Sequence, residues 1–204
     1  MALPSHEGVG TVRYRSGDDL ADALAPCARG EKSKPEEAVG TAVAALAVRL
    51  AGVPDAKLMP YKAHAPLYSF APIHRGVPFI VIEWRMEPGA VLLPHNHPGY
   101  SVCTVGLEGE ARMRHYQPAG DAPPLASREP FRVRLTREQA LLPRGISTLG
   151  PERDNIHTFI AGPRGARGID VTTLHAMKDT GFSFLEIREK HGPSDDLEAR
   201  FTGM

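Results

Sequence analysis

Short apolar segments separated by glycine and proline make up most of the chain after residue 54. These segments are rich in valine, isoleucine or aromatic residues, which favours strands over helices. The predicted strands are PFIVIEW at 78–84, YSVCTVGL at 100–107, EARMRHY at 110–116, FRVRLT at 131–136, NIHTFIAG at 155–162, GIDVTTLHA at 168–176 and FSFLEI at 182–187. Seven such segments without intervening helices predict a mainly β fold, either an antiparallel sandwich or a small barrel.

The first 54 residues have a different pattern. Ser33 and Glu36 have the spacing of a helix-capping box, and apolar residues then recur at helical spacing as far as Leu50. This pattern predicts a helical N-terminal extension at 1–54. The remaining residues, 55–204, are predicted to form the barrel domain with a C-terminal tail.

Composition narrows the range of partners and of cellular locations. The 24 lysines and arginines balance 24 aspartates and glutamates, which argues against a general nucleic-acid binder or a membrane-surface binder. The two cysteines, Cys27 and Cys103, are too few for a disulfide framework. The first twenty residues lack the apolar core of a secretory signal. We therefore expect a cytoplasmic protein.

Two of the nine histidines have the spacing of metal ligands. His95 and His97 are separated by one residue, so on an extended segment both imidazoles point to the same face and can reach one metal ion. This short pattern is common by chance, so its surroundings matter. Gly89 lies six residues before His95, and Gly109 lies twelve residues after His97.

This frame of glycines around the two histidines resembles the first motif of the cupin superfamily. The resemblance implies a double-stranded β-helix, also called a jelly-roll barrel. Many cupins have a glutamate ligand seven residues before the later glycine, and Val102 occupies that position here. Because valine cannot bind a metal, a third neutral ligand is needed. His157, on a predicted strand far downstream, is the candidate.

Three histidines without the glutamate resemble the ligand set of the thiol dioxygenases, and the sequence is most similar to the cysteamine dioxygenase and plant cysteine oxidase family. The similarity lies in WRMEPGAVLLPHNHPGYSV, GPERDNIHTF and GIDV, and it spans roughly residues 60–190. It implies an Fe(II) enzyme with His95, His97 and His157 as metal ligands. Such an enzyme uses dioxygen to convert a small aminothiol, or the N-terminal cysteine of a peptide, to a sulfinic acid.

The resemblance also implies a catalytic carboxylate. Asp170, in GIDV, lies thirteen residues after His157 and would orient the substrate or a water molecule near the iron. The alternative is an aspartate in a loop or at a strand edge whose oxygens accept hydrogen bonds from backbone amides.

Four further residues form the predicted substrate-binding set. Phe70 stands where animal cysteine dioxygenases have a carboxylate-binding arginine, which disfavours free cysteine as the substrate. Tyr100 replaces the methionine usual in the family, and Val102 occupies the vacated glutamate position. His175 lies where the plant enzymes place a tyrosine, although a surface histidine is the alternative.

The other histidines are predicted to lie outside the site. His64 and His74 fall in proline-containing segments that we interpret as loops, and His115 ends a predicted strand. Cys103 follows Val102, the position at which animal cysteine dioxygenases have a cross-linked cysteine. On a strand, a shift of one residue turns the side chain to the other face, so we expect a buried structural thiol.

One alternative function remains open from the sequence. A cupin could use the same three histidines for other oxygenase chemistry or for ligand sensing without turnover. Three imidazoles also suit zinc, nickel or copper, so the pattern alone does not select iron.

Overall fold

The computed structural model describes residues 62–65, 67–76, 79–174, 183–188 and 196–203. The regular elements in these ranges are strands: β1 Lys62–Ala65, β2 Tyr68–Gly76, β3 Phe79–Met86, β4 Val91–Asn96, β5 Tyr100–Pro118, β6 Phe131–Leu141, β7 Ile146–Leu149, β8 Ile156–Leu174, β9 Phe184–Arg188 and β10 Asp196–Gly203. The predicted mainly β fold is therefore confirmed. The predicted helices at 1–54, and the domain boundary after them, lie outside the described residues.

Antiparallel pairing closes part of the sheet into a barrel. Following the hydrogen-bonded neighbours, β4 pairs with β9, then β10, β6, β5 and β8 follow in turn, and β8 pairs with β4 again. A second layer runs in the order β1, β2, β3, β8, β5 and β7. This arrangement is the predicted jelly-roll barrel. No helix long and apolar enough to cross a membrane occurs among the described residues.

Two long strands connect the layers. β5 and β8 each have 19 residues and pair along most of their length, whereas the sequence pattern predicts two shorter strands for each. In β5, the register shifts near Gly109 coincide with the gap between the two predicted strands at 100–107 and 110–116. Gly109 and Gly165 have φ of +64° and +74°, and a Cβ on Gly109 would collide with the Gly165 carbonyl. The two strands therefore change layer together at these glycines.

Five strands are absent from the predicted set, and two of them correct the placement of histidines. The prediction that His64 and His74 lie in loops is wrong, because these residues lie on β1 and β2. The ladder between β2 and β3 shifts register just after Pro72. Such a bulge accommodates a proline within a strand, so the proline did not mark a loop. The other three are β4, which carries His95, β7, a strand of four residues, and β10, a strand rich in charged residues.

The main apolar core lies inside the barrel beneath the candidate site. Trp84 and Phe159 are both almost fully buried, and their rings meet edge to face with centroids 5.3 Å apart. Met113 and Leu92 belong to the same buried cluster. This core supports the strands that carry the histidines and Asp170.

Two glycines on β8 provide a matched test of this packing. A Cβ on Gly168 would overlap the Trp84 indole and the Val105 carbonyl, neither of which can move easily, so Gly168→Ala should cost about 2–3 kcal/mol of stability. A Cβ on Gly162 would meet only the exposed side chain of Glu110, which can swing away. Gly162→Ala should therefore cost less than about 1 kcal/mol. Urea unfolding of both variants checks the order, and equal losses would contradict it.

Candidate metal centre

Three buried histidine rings meet at one end of the barrel. His95 lies directly opposite His157 in the ladder between β4 and β8, and His97 follows the end of β4. The Nε2 atom of His157 lies 3.0 Å from Nε2 of His95 and 2.8 Å from Nε2 of His97. The structure thus brings together the three histidines that the sequence names as candidate ligands.

Asparagines adjacent to the ligand motifs hold the backbone in place. The His97 backbone N–H donates to Asn155 Oδ1 at 3.1 Å, and Asn155 Nδ2 donates to the His97 carbonyl at 2.8 Å. Asn96 exchanges two hydrogen bonds with the backbone of Ser183, which precedes β9. The asparagine of NIH therefore fixes the HNH segment against the strand of His157.

A hydrogen bond orients the His95 ring, and burial keeps the His97 and His157 rings neutral. His95 Nδ1 donates to the Leu93 carbonyl at 2.9 Å, because a carbonyl can only accept, and this leaves Nε2 as the nitrogen directed at the cluster. Burial, and next the nearby His95, lower the pKa of His97 and His157 well below the usual histidine value. Neutral imidazoles are the form that binds metals.

The nitrogen spacing fits a divalent metal ion. Two metal–nitrogen bonds of about 2.1 Å place their nitrogens about 3.0 Å apart at a right angle and about 3.4 Å apart at the tetrahedral angle. The observed 2.8 and 3.0 Å between His157 Nε2 and the other two Nε2 atoms agree with right angles for these two pairs, and all three ligand atoms lie within 4.8 Å of one another. His95, His97 and His157 could therefore hold a metal ion whose other coordination positions are available to ligands.

A cavity of about 330 Å³ adjoins this cluster and includes His95 and His97 in its wall. Most of its wall is aromatic or aliphatic, and Phe70 and Tyr100, two of the predicted substrate-binding residues, are part of it. Apart from the two histidines, Asp170 is the only acidic or basic residue in the described wall. The cavity can therefore take an apolar ligand with one cationic end.

The described cavity wall does not include the other two predicted substrate residues. Val102 is 2% exposed and packs against Tyr100 and Leu149, so it supports the cavity wall from behind and does not line the cavity. His175 lies outside the described residues. Cys103 is buried, as expected, and burial followed by the charge of Asp170 raises its pKa to about 12.

Asp170 lies in the middle of β8, and two side chains hold its carboxylate. Thr104 Oγ1 and Trp84 Nε1 both donate to Oδ1, at 2.7 and 3.1 Å. The aspartate is therefore not in a loop or at a strand edge, the alternative that the sequence left open. Burial raises the pKa of Asp170 to about 6, and these two hydrogen bonds act in the opposite direction.

Two tyrosines lie within electrostatic range of this carboxylate. Burial, and then the charge of Asp170, raise the pKa of the Tyr68 and Tyr100 phenols well above the usual value. Both phenols therefore stay protonated at neutral pH. The Tyr100 ring also meets the His97 ring edge to face, with centroids 4.9 Å apart, and so limits its rotation.

A fourth histidine, which the sequence pattern leaves outside the site, lies behind the cluster. His115 is fully buried directly opposite His157 on β5, and the ring centroids are 5.9 Å apart. Its Nε2 atom lies 2.9 Å from the Ser147 hydroxyl. Burial, and next the charge of Arg137, lower its pKa to about 4, so the ring is neutral. Only the strand register, which the local pattern does not specify, could have revealed this contact.

Comparisons with known proteins yield structural neighbours only. No family model and no curated protein matches the sequence. KdgF from Halomonas sp. is 12% identical, with a TM-score of 0.44 over 58% of this chain and 88% of that one. An uncharacterized conserved protein with a double-stranded beta-helix domain from Klebsiella pneumoniae subsp. pneumoniae is 16% identical, with a TM-score of 0.42 over 60% and 83%. A cupin superfamily protein from Desulfitobacterium hafniense is 12% identical, with a TM-score of 0.39 over 55% and 83%.

Similarities of this size say nothing about activity, and the fold follows from the strand pairing itself. The closed antiparallel barrel is a double-stranded β-helix of the kind found in cupins. Together, the barrel and the cluster define a double-stranded β-helix protein with three histidines compatible with metal binding.

Proposed function

We propose that the protein is an iron(II)-dependent thiol dioxygenase that oxidises a small aminothiol, or the N-terminal cysteine of a peptide, to the sulfinic acid. The observation that carries this proposal is the three-histidine cluster, which includes no carboxylate among the described residues. It adjoins a cavity whose described wall has Asp170 as its only acidic or basic residue apart from His95 and His97. The sequence resemblance supplies the reaction type.

The ligand set suits a thiol substrate. Three neutral imidazoles would leave the full positive charge of Fe(II) uncompensated, which favours an incoming thiolate and lowers the pKa of the thiol. When bound, the iron supplies this charge and the site at which dioxygen is activated. The reaction balances as RSH + O₂ → RSO₂H, because both oxygen atoms end on sulfur and sulfur supplies all four electrons.

The residues around the cluster would orient the substrate. Asp170, fixed by Trp84 and Thr104, would hold the cationic nitrogen while the thiol faces His95 and His97. The aromatic and aliphatic wall would exclude water from the reacting sulfur. No lysine or arginine belongs to the described wall, so a thiol with a free carboxylate would lack a partner.

Oxygen uptake tests the proposal directly. The full chain is loaded with Fe(II) without oxygen, and cysteamine, a C-terminally amidated cysteinyl peptide, cysteine and 3-mercaptopropionate are then supplied with oxygen. We expect the reaction of cysteamine or of the peptide to consume one O₂ per thiol, and the product to gain the mass of two oxygen atoms. Cysteine and 3-mercaptopropionate, which have a free carboxylate, should react more slowly. Zinc-loaded protein is the control. No uptake with any of the four thiols would rule out the proposed reaction.

A second function is favoured by the donor chemistry alone. Three imidazoles without a carboxylate also suit zinc, nickel or copper, and a cupin with such a site could perform other oxygenase chemistry or sense a ligand. Binding of these thiols without oxygen uptake would indicate ligand sensing. The cytoplasmic location stays a prediction in either case.

A further inference from the structure

The cavity beside the metal cluster has an unusual combination of side chains. Four aromatic rings line it, from Tyr68 and Phe70 on β2, Tyr100 on β5 and Phe184 on β9, together with the carboxylate of Asp170 on β8. We propose that this part of the wall is a binding site for an alkylated ammonium group. The thiol oxidised by the protein would then carry a tertiary or quaternary nitrogen, an extension that rests on the proposed function.

The first step of the argument is that the site selects a cation. A carboxylate in a mainly apolar cavity is costly to keep charged, and a cationic ligand offsets this cost. Trp84 and Thr104 already fix Oδ1 of Asp170, so a ligand does not have to order this group on binding. Apart from the metal-site histidines His95 and His97, the described wall offers no basic side chain that would compete with the ligand for Asp170.

The second step concerns the substituents on the nitrogen. A primary ammonium has three N–H donors and needs three acceptors around it, whereas most of this wall consists of rings and aliphatic carbons. A trimethylammonium has no N–H, and the faces of aromatic rings attract it. Tyr100 and Phe184 are already held against His97 and His95, with ring centroids 4.9 and 5.9 Å apart, so these two rings are positioned before a ligand enters.

The third step is size. Cysteamine consists of two carbons, one nitrogen and one sulfur, and these atoms fill only a small part of a 330 Å³ cavity. Methyl groups on the nitrogen would contact the rings around Asp170 and leave the thiol end directed at the histidines. Thiocholine, the trimethylated analogue of cysteamine, combines these features.

Binding without metal or thiol tests the cation site by itself. Calorimetry on the full, metal-free chain compares choline with ethanolamine and with 3,3-dimethylbutan-1-ol, the neutral isostere of choline. We expect choline to bind at least roughly tenfold more tightly than either. Equal binding of the neutral isostere would show apolar burial only, and equal or tighter binding of ethanolamine would exclude a preference for alkylation. No measurable binding of choline would also overturn the proposal.

The single tryptophan of the sequence reports where choline binds. Trp84 donates to Asp170, so a cation at this carboxylate should change the indole fluorescence. The change should saturate with the affinity found by calorimetry. Choline binding that leaves the fluorescence unchanged would place the ligand elsewhere and contradict the proposal.

Variants at two positions separate the contribution of the aromatic ring from that of the charge. Phe70→Leu removes an aromatic face and should weaken choline binding roughly three- to tenfold, while Phe70→Tyr keeps the face and should change binding less than about twofold. Asp170→Asn preserves shape and should weaken the binding of choline but not that of the neutral isostere. Equal effects of the two Phe70 variants would exclude a role for the ring.

Turnover then distinguishes this inference from the proposed function. With Fe(II) bound, thiocholine should be oxidised with a higher kcat/KM than cysteamine. Choline binding without oxidation of any thiol would support the cation site and rule out the proposed dioxygenase activity. Oxidation of cysteamine without choline binding would support the dioxygenase activity and rule out the cation site.

Discussion

Replacing His157 with alanine should remove the metal ion from the protein. The Nε2 atom of His157 lies within 3.0 Å of both other Nε2 atoms, so this ring completes the set. His95 and His97 alone would offer two donors. We expect affinity for a divalent metal to fall by more than roughly a hundredfold, because even the loss of a residue that only supports a ligand costs about 10- to 100-fold. Metal content after dialysis, measured by mass spectrometry, checks this.

His115 provides the matched control for this experiment. It is a buried histidine on the neighbouring strand, directly opposite His157. Its Nε2 atom forms a hydrogen bond with the Ser147 hydroxyl and is not directed at the cluster. His115→Gln should therefore keep full metal stoichiometry at saturating metal, and circular dichroism should show a folded barrel for both variants. If His157→Ala retained full metal stoichiometry, His157 would not be a metal ligand. If His115→Gln lost the metal, His115 would be a fourth ligand.

The spacing of residues along the chain predicts part of this site. The alternation of side chains on a strand puts His95 and His97 on one face, and apolar segments between glycines predict the β fold. His157 and Asp170 come from the resemblance to a family. Pairing then explains why these residues meet, since His95 lies opposite His157 and Thr104 lies opposite Asp170.

The rest of the site depends on register, which no local pattern specifies. A shift of one residue between β5 and β8 would turn His115 away from His157. The observed register follows from the close approach of Gly109 and Gly165, which are distant in sequence. Phe184 illustrates the same limit, because it lies on a predicted strand but enters the cavity wall only through the pairing of β9 with β4.

Replacing Asp170 with asparagine should stabilise the metal-free protein above pH 6. Burial raises the pKa of Asp170 from 3.8 to about 6, so between these values the folded state holds a proton that the unfolded state has released. The contribution of Asp170 to stability is therefore fully present below about pH 4 and is lost as pH rises through 6. Asparagine avoids this loss, and the gain should be on the order of 2 kcal/mol at pH 7.5 and near zero at pH 4.

The quantity to measure is the difference in the free energy of unfolding between the variant and the wild type. Buried histidines change the stability of both proteins with pH in the direction opposite to Asp170. The pKa of His115 is lowered to about 4, so its neutral ring favours the folded state at high pH and loses this contribution as pH falls from about 6.5 towards 4. His97 and His157, whose pKa values are also lowered, act with the same sign. These contributions are common to both proteins, so urea unfolding at several pH values isolates Asp170 by subtraction.

Activity should change in the opposite sense to stability. In the iron-loaded Asp170→Asn variant, kcat/KM for cysteamine should fall at least roughly thirtyfold, because an ammonium in the cavity would lose its carboxylate partner. The neutral thiol 2-mercaptoethanol should be affected little. A loss of stability at pH 7.5, with equal losses for both thiols, would instead make Asp170 a structural residue. The proposed cationic ligand would explain why a carboxylate whose charge opposes folding lines this cavity.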